Sequence, residues 1–393
     1  MARLLACWEM GGGYGHVAQL ASAARPLAVM GHESWLAARD VVRARGLADK
    51  PFDRVLQAPL WVRGAPKGPT FSHGQLYAAT GFADDEALGE LVQAWLSLFE
   101  LAGAEAIYGS HAPVSLLAAH VARLPAARIG TPFSCPPARQ DAGLMPWVRP
   151  ATPAELAVAD RVVRAVCRRF GAPILSGLSE LFASARPFLT SWPELELGAA
   201  RTDSEYLGPT TGLGGGAHPD WPDLPGPRLL VYLPMQAAAA APLVAALAAR
   251  GWPAIWVSEA GPAAPLPANI HHQVEPLALG PALAEAALFV TRGGHGSALD
   301  AIVAACPMLV LADTLETEHN ARALAAHGLA RRFPGLEQGW DAAAIGAALD
   351  AVVRPDAPER AAIAAAAARH AGHDPAASAT RMARQMARAL RLL

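Results

Sequence analysis

At 393 residues the chain is longer than one hydrophobic core ordinarily spans, which predicts two domains. Hydrophobic residues make up 53% of it, enough to fill two cores and to exclude a disordered class. A formal net charge of −2 excludes a general attraction to nucleic acid or anionic membrane, so any phosphate recognition must be local.

Residues 4–8 read as a buried strand, then comes a glycine turn at 11–15 and a helix from His16 to about residue 30. The apolar run before Glu9 is too short for a signal peptide. Residues 34–38 form the next strand, and residues 60–83, rich in Gly, Pro and aromatics, read as a long loop of the kind that carries binding contacts. Strand character returns at 106–108 and 128–130, with a helix at 114–123 between them, and again at 188–190. Glycines and prolines without periodic signal then mark 208–227 as an interdomain linker. The pattern restarts with a strand at 229–233, a helix at 242–250 and a strand at 254–257. His271 and His272 read as a loop before a short strand at 273–274. A strand at 287–290, a glycine turn, a helix opening at Ser297 and a strand at 308–311 follow, and a basic amphipathic helix closes the chain at 376–393. No apolar stretch reaches the ~18–20 residues of a membrane span. The four cysteines (Cys7, Cys135, Cys167, Cys306) are scattered without a C-x-x-C pair, which fits a reduced cytoplasmic setting and neither a disulfide framework nor a zinc site. Alternating strands and helices imply parallel sheets wrapped by helices. The fold class is therefore α/β, as two doubly wound Rossmann-like domains facing across a cleft.

The chemistry concentrates in two turns. In the second half, the turn Arg292, Gly293, Gly294, His295, Gly296, Ser297 lies between a strand and a helix. That arrangement points free backbone N–H groups and a positive helix end at an anion, usually a phosphate. Asp300, read as lying in the first turn of the helix, is placed to accept hydrogen bonds from ribose hydroxyls. Glu316 and Asn320, on the next loop and helix, add polar groups. Phosphate, ribose and further polar contacts suggest a nucleotide with something hydroxyl-rich attached. In the first half, Gly13, Gly15 and Ala18 fit a loose G-x-G-x-x-A dinucleotide fingerprint, with Asp40 after the second strand. An NAD-dependent oxidoreductase would use that fingerprint but leaves the second constellation unexplained.

These residues resemble the GT-B superfamily of nucleotide-sugar glycosyltransferases, most of all the UDP-glycosyltransferase and macrolide-transferase family, with a secondary likeness to the transferase that completes lipid II. Thr291, Gly293, Gly294, Ser297, Asp300, Pro307, Glu316 and Asn320 match the family's carboxy-terminal signature, and Gly15-His16 its amino-terminal Gly-His. The resemblance covers nearly the whole chain. It implies an acceptor-binding domain at 1–207, the linker at 208–227, a nucleotide-sugar-binding domain at 228–375, and a last helix at 376–393 returning to the first domain. It implies His16 as general base of an inverting transfer, with a UDP-sugar or other nucleoside-diphosphate sugar as co-substrate and no further cofactor. The phosphate contacts fall to Arg292 and the Gly294–Ser297 amides, which makes a metal unnecessary, and Pro276 and Leu277 fall where the family frames the base. Met10, Tyr14, His111 and Phe133 are candidates for the pocket of a small-molecule or lipid-like acceptor. The basic last helix leaves room for peripheral membrane contact.

Three positions depart from the family. Arg292 stands where a phosphate-binding His is usual, and a guanidinium suits phosphate as well. Thr317 replaces the Gln that commonly reads sugar hydroxyls. The Asp that orients the catalytic His falls near Gly109 or Ser110, neither of which can do its job, and the adjacent His111 is not an equivalent. A non-catalytic partner that activates another transferase, or a nucleotide-sugar epimerase, would keep the same fold.

Overall fold

Alternate residues of the first strand belong to different cores. Leu5 and Cys7 join one apolar cluster, and Leu4, Ala6 and Trp8 join another on the opposite face. Such a strand is apolar throughout because helices cover both faces of its sheet. The computed structural model describes residues 1–46, 50–62, 70, 72–137, 153–198, 201–212 and 215–392. By contacts the chain forms two units: Met1–Pro193, Ala199–Thr211 and Asp374–Leu393 make up the first, and Glu194–Gly198 and Gly212–His373 the second. The stretch 208–227, expected as a linker, is thus divided between the two.

The first unit runs β1 (Arg3–Trp8), α1 (Tyr14–Val29), β2 (Glu33–Ala38), α2 (Val41–Arg45), β3 (Arg54–Gln57), α3 (His73–Tyr77) and α4 (Asp85–Ala102). It continues with β4 (Ala106–Ser110), α5 (Pro113–Ala122), β5 (Ala126–Gly130), α6 (Pro153–Arg169), α7 (Leu178–Ala183) and β6 (Arg186–Leu189). Its six strands are parallel in the order β3-β2-β1-β4-β5-β6. The second unit runs β7 (Leu229–Tyr232), α8 (Ala240–Arg250), β8 (Ala254–Val257), β9 (Ile270–Gln273), α9 (Leu279–Glu285) and β10 (Leu288–Thr291). It continues with α10 (His295–Val303), β11 (Met308–Val310), α11 (Leu315–Ala326), β12 (Ala330–Arg332), α12 (Gly335–Gln338), α13 (Ala342–Val353) and α14 (Pro358–His370). Its parallel order is β12-β11-β10-β7-β8-β9. Counted from its own first strand, each sheet winds 3-2-1-4-5-6 and reverses beside that strand. Ligands of open α/β sheets bind at such reversals, outside the carboxyl ends of the strands.

The chain closes with α15 (Pro375–Ala389), which belongs to the first unit. Met382, Ala383, Met386, Ala387 and Leu390 are buried in one cluster with Leu20, Ala24 and Leu27 of α1. Ser378 Oγ donates to Leu207 O at 2.8 Å, and Arg381 pairs with Glu205 at 3.1 Å. Its apolar stripe is spent inside the unit, so only the arginine face of this helix is offered outward. Among the described residues no helix is long and apolar enough to cross a membrane.

Several elements differ from the sequence reading. Of the stretch 60–83, residues 63–69 and 71 lie outside the described residues, and 72–82 are helical and not loop: α3 is capped by Ser72, whose hydroxyl accepts from Gln75 N, and a single wide turn follows at Ala78–Phe82. His271 and His272 lie in β9, not before it, because an edge strand tolerates polar side chains. Their ring nitrogens meet the carbonyls of Asp220 and Ser258 at 2.9 and 3.1 Å. Helix α10 begins at His295 and not at Ser297, and Glu316 sits in the first turn of α11 and not on a loop.

Candidate functional site

The turn after β10 is held open by its own backbone. Gly293 has φ +89°, and a methyl group there would come within 2.8 Å of Val310 Cγ1 and 3.1 Å of Thr317 O, so both conformation and space demand glycine. Asn320 Nδ2 donates to Gly293 O at 2.9 Å, so this candidate binding residue anchors the turn from α11. Gly294 starts α10 in extended conformation with no side-chain cap. The Ser297 hydroxyl donates back to Gly294 O at 3.0 Å and leaves the first-turn amides uncapped. Nothing lies within 4 Å of where a Gly296 side chain would be. The turn stands where the sheet reverses, since Thr291 pairs in register with Tyr232, the last residue of β7. An uncapped helix end there is equipped to take an anion.

The charges around the turn are mixed. Arg292 Nη2 and Nε lie 2.7 and 3.0 Å from Asp313 Oδ1, so its guanidinium is already paired. Burial pushes the Glu316 carboxyl up while the Arg292 charge pulls it down. Asp300 lies in the second turn of α10, not the first, because the helix starts two residues earlier than expected. Burial pushes its carboxyl up to about 7, and its charge is felt by the Tyr232 phenol, itself raised mainly by burial. Thr317 is occupied locally: its hydroxyl accepts from Thr314 N at 3.0 Å while its own N–H donates to Thr314 Oγ1, a capping box for α11. His295 is buried. Pro276 O accepts from Ala217 N and Ala278 N donates to Ala217 O, both at 2.9 Å, so the backbone flanking the buried Leu277 is tied to the chain that enters the second unit.

In the first unit, the loop after β1 is fixed from both sides. Trp8 Nε1 donates to Met10 O at 2.9 Å, and Met10 N donates to His111 O at 3.1 Å. The Glu9 carboxylate accepts from Val114 N and Ser115 N at 2.9 and 2.6 Å and so caps α5. Burial raises the Glu9 carboxyl to about 7 although those amides pull it down. Helix α1 opens at Tyr14 and not at His16. The His16 ring therefore lies within the first turn, buried, with Nδ1 3.0 Å from Ser110 Oγ. Ser110 in turn donates to Gln19 Oε1 at 3.3 Å. Desolvation, aided by the Arg39 charge, lowers His16 to about 4, so the imidazole is neutral at ordinary pH. A methyl on Gly11, which has φ +81°, would come within 2.2 Å of His16 Nε2.

His111 adopts φ +49°, and both its ring nitrogens are buried without a hydrogen-bond partner among the described residues. Burial, with His16 and His73 nearby, holds it well below the usual histidine range. Phe133 packs 5.7 Å from the His111 ring and 4.6 Å from His73. Met10, His16, His111 and Phe133 thus gather at the carboxyl ends of β1, β4 and β5. Tyr14 does not join them in burial: it is 51% exposed, with the Arg43 guanidinium over its ring. Asp40, the ribose candidate of the oxidoreductase reading, accepts from Arg43 N and caps α2. Gln19, Glu9 and His73 were not singled out from sequence, and Ser110 was named only as a position where the family's His-orienting Asp is missing, whereas its hydroxyl meets His16. Gln19 had a signal, since three residues from His16 on a helix is the same face. Among the described residues no group of three or more His, Cys, Asp or Glu is placed to hold a metal ion.

No family model matches the chain, and no curated protein matches its sequence. Solved structures match it end to end. The calicheamicin glycosyltransferase superposes with a TM-score of 0.73 at 18% identity, over 99% of this chain and 98% of that one. The glycotransferase of kitacinnamycin gives 0.70 at 16% identity, over the same shares. The spinosyn rhamnosyltransferase, in complexes with spinosyn aglycone and with thymidine diphosphate, gives 0.67 at 20%, over 96% and 98%. The chain has the GT-B fold of these glycosyltransferases. In that fold each candidate turn of this chain stands at a sheet reversal, His16 after β1 and Arg292 to Ser297 after β10.

Proposed function

We propose that the chain is a glycosyltransferase that moves a sugar from a nucleoside-diphosphate donor to a hydroxyl or amine of a small-molecule acceptor, inverting the anomeric centre without a metal. The observation that carries this reading is a neutral, buried His16 at one sheet reversal of a chain whose other reversal ends in an uncapped glycine turn. The donor's diphosphate is assigned to the amides of Gly294 to Ser297 and to Arg292, which exchanges part of its Asp313 contact for phosphate oxygens. The ribose is assigned to Asp300. His16 Nε2 takes the acceptor proton as the acceptor oxygen or nitrogen attacks the anomeric carbon, and the bond from that carbon to the diphosphate breaks on the opposite side. Attack opposite the leaving group inverts the centre. Fixed dipoles and one guanidinium supply the charge stabilisation that a metal would otherwise give.

Thymidine diphosphate in the spinosyn enzyme makes dTDP-sugars as strong a starting point as the UDP-sugars that the sequence resemblance favours. Incubating the protein with UDP- and dTDP-sugars and an acceptor panel, with and without a chelator, tests the reading. Mass spectrometry should find acceptor plus one sugar, proton NMR the inverted anomer, and the chelator should change neither. A retained anomer would refute the single displacement, and chelator-sensitive transfer the metal-free assignment.

A further inference from the structure

Among the described residues no carboxylate is hydrogen-bonded to His16. Its Nδ1 meets Ser110 Oγ, and the Ser110 hydroxyl donates onward to Gln19 Oε1. A hydroxyl has one proton to give. With that proton on Gln19, Ser110 meets Nδ1 only by accepting, so Nδ1 carries the ring hydrogen and Nε2 the lone pair. The reverse chain, with the Gln19 amide donating to Ser110 and Ser110 to Nδ1, would put the hydrogen on Nε2, where no base could act.

A carboxylate in the place of Ser110 would do a second thing: stabilise the imidazolium as the proton arrives. The uncharged relay does not. Burial and the Arg39 charge both oppose imidazolium. The Glu9 carboxylate, on the loop after β1, is committed to the amides that open α5. We propose that Ser110 and Gln19 position His16 with Nε2 as the proton acceptor, and that this uncharged relay restricts acceptors to acidic hydroxyls of the phenol class, excluding aliphatic alcohols. The proposal rests on the reading of His16 as the base. A base that gains little from protonation transfers protons efficiently only from a nucleophile already acidic enough to give one up, and phenols (pKa about 10) are far more acidic than alkyl alcohols. The setting is aromatic, with Phe133 against His111 and His73.

Two measurements on the full-length protein test it. Long-range proton–nitrogen correlations in histidine-labelled protein report the tautomer of each ring, with His16 assigned by its loss in His16→Gln. The relay predicts Nδ1–H in the wild type, retained in Ser110→Thr and lost to a mixture in Ser110→Ala. An Nε2–H tautomer in the wild type overturns it whatever the transfer rate. The second measurement compares a phenol with the corresponding cyclohexanol as acceptor. Wild-type kcat/KM should favour the phenol by about 100-fold or more, the scale of one acid–base contribution. Ser110→Asp should narrow that preference about tenfold or more and raise the pH at which kcat falls, leaving the donor KM in place. Equal turnover of the two acceptors by the wild type overturns the acceptor class. Transfer to neither acceptor, with Nδ1–H observed, overturns the transferase reading and the acceptor class with it, while the relay stands.

Discussion

His16 is uncharged at neutral pH because its ring is taken out of water, and that has a stability consequence as well as a catalytic one. Its folded value of about 4 lies below the ordinary 6.5, so between those pH values the unfolded chain binds a proton that the folded chain does not. Stability therefore falls as pH drops through that window, by about 3 kcal/mol from this group. Urea unfolding of wild type and His16→Gln at pH 7 and pH 4 should show the variant losing less on acidification by roughly that amount. Parallel losses would mean that His16 is not desolvated. Arg292 poses a different residue-scale question, because it begins paired with Asp313. Replacing it by Ala should weaken nucleoside-diphosphate binding by about 1.5–3 kcal/mol, nearer the lower end because a phosphate contact replaces part of an existing one. Calorimetry on the folded variant reads this directly, and unchanged affinity would remove Arg292 from the site.

At the scale of elements, the turn after β10 depends on a glycine that nothing else can replace. Gly293→Ala forces a left-handed backbone on a residue with a side chain and drives its methyl into Val310. It should cost about 2–4 kcal/mol of stability in the second unit, measured by denaturant unfolding. A cost under ~0.5 kcal/mol would show that the turn relaxes freely. Deleting the chain from Pro375 onward removes Met382, Met386 and Leu390 from the cluster with α1. At roughly 1.5–3 kcal/mol for each buried side chain, the first unit should lose on the order of 5 kcal/mol, lowering its midpoint by about 10 °C or more. An unchanged midpoint would contradict the packing of α15.

The elements also show what could be read in advance. The β1 and β10 strands with their glycine turns were legible because apolar runs ending in glycine have few other uses. Helix α10 was entered two residues late in the sequence reading because Ser297 is a favoured cap residue, whereas the chain caps with Gly294 and turns the hydroxyl back on it. His271 and His272 hid a strand because their polarity is tolerated only at an edge, and edge position is a property of the sheet. The resemblance placed the His-orienting position near Gly109 or Ser110, but that the Ser110 hydroxyl itself meets His16 was not legible. That contact joins residues 94 apart, brought together by the parallel register that sets Trp8 beside Ser110.

At the scale of the molecule, the same winding occurs twice in one chain, and each copy carries a different set of candidate residues at its reversal. Nucleotide contacts are assigned to the second unit alone, so a nucleoside diphosphate at about 100 times its Kd should raise stability by about 2.7 kcal/mol through mass action, and His16→Ala should respond equally. A ligand shift that vanishes in His16→Ala would place donor contacts on the first unit. The most direct test of the account is acceptor-dependent release of nucleoside diphosphate from a sugar donor, measured side by side for wild type and His16→Ala at neutral pH. The wild type should release nucleoside diphosphate at a rate that rises with acceptor, and the variant, with donor binding intact, should be slower by roughly 10²–10⁴. Equal acceptor-dependent release by the two proteins would show that the proton leaves by another route, and release by neither would contradict sugar transfer itself.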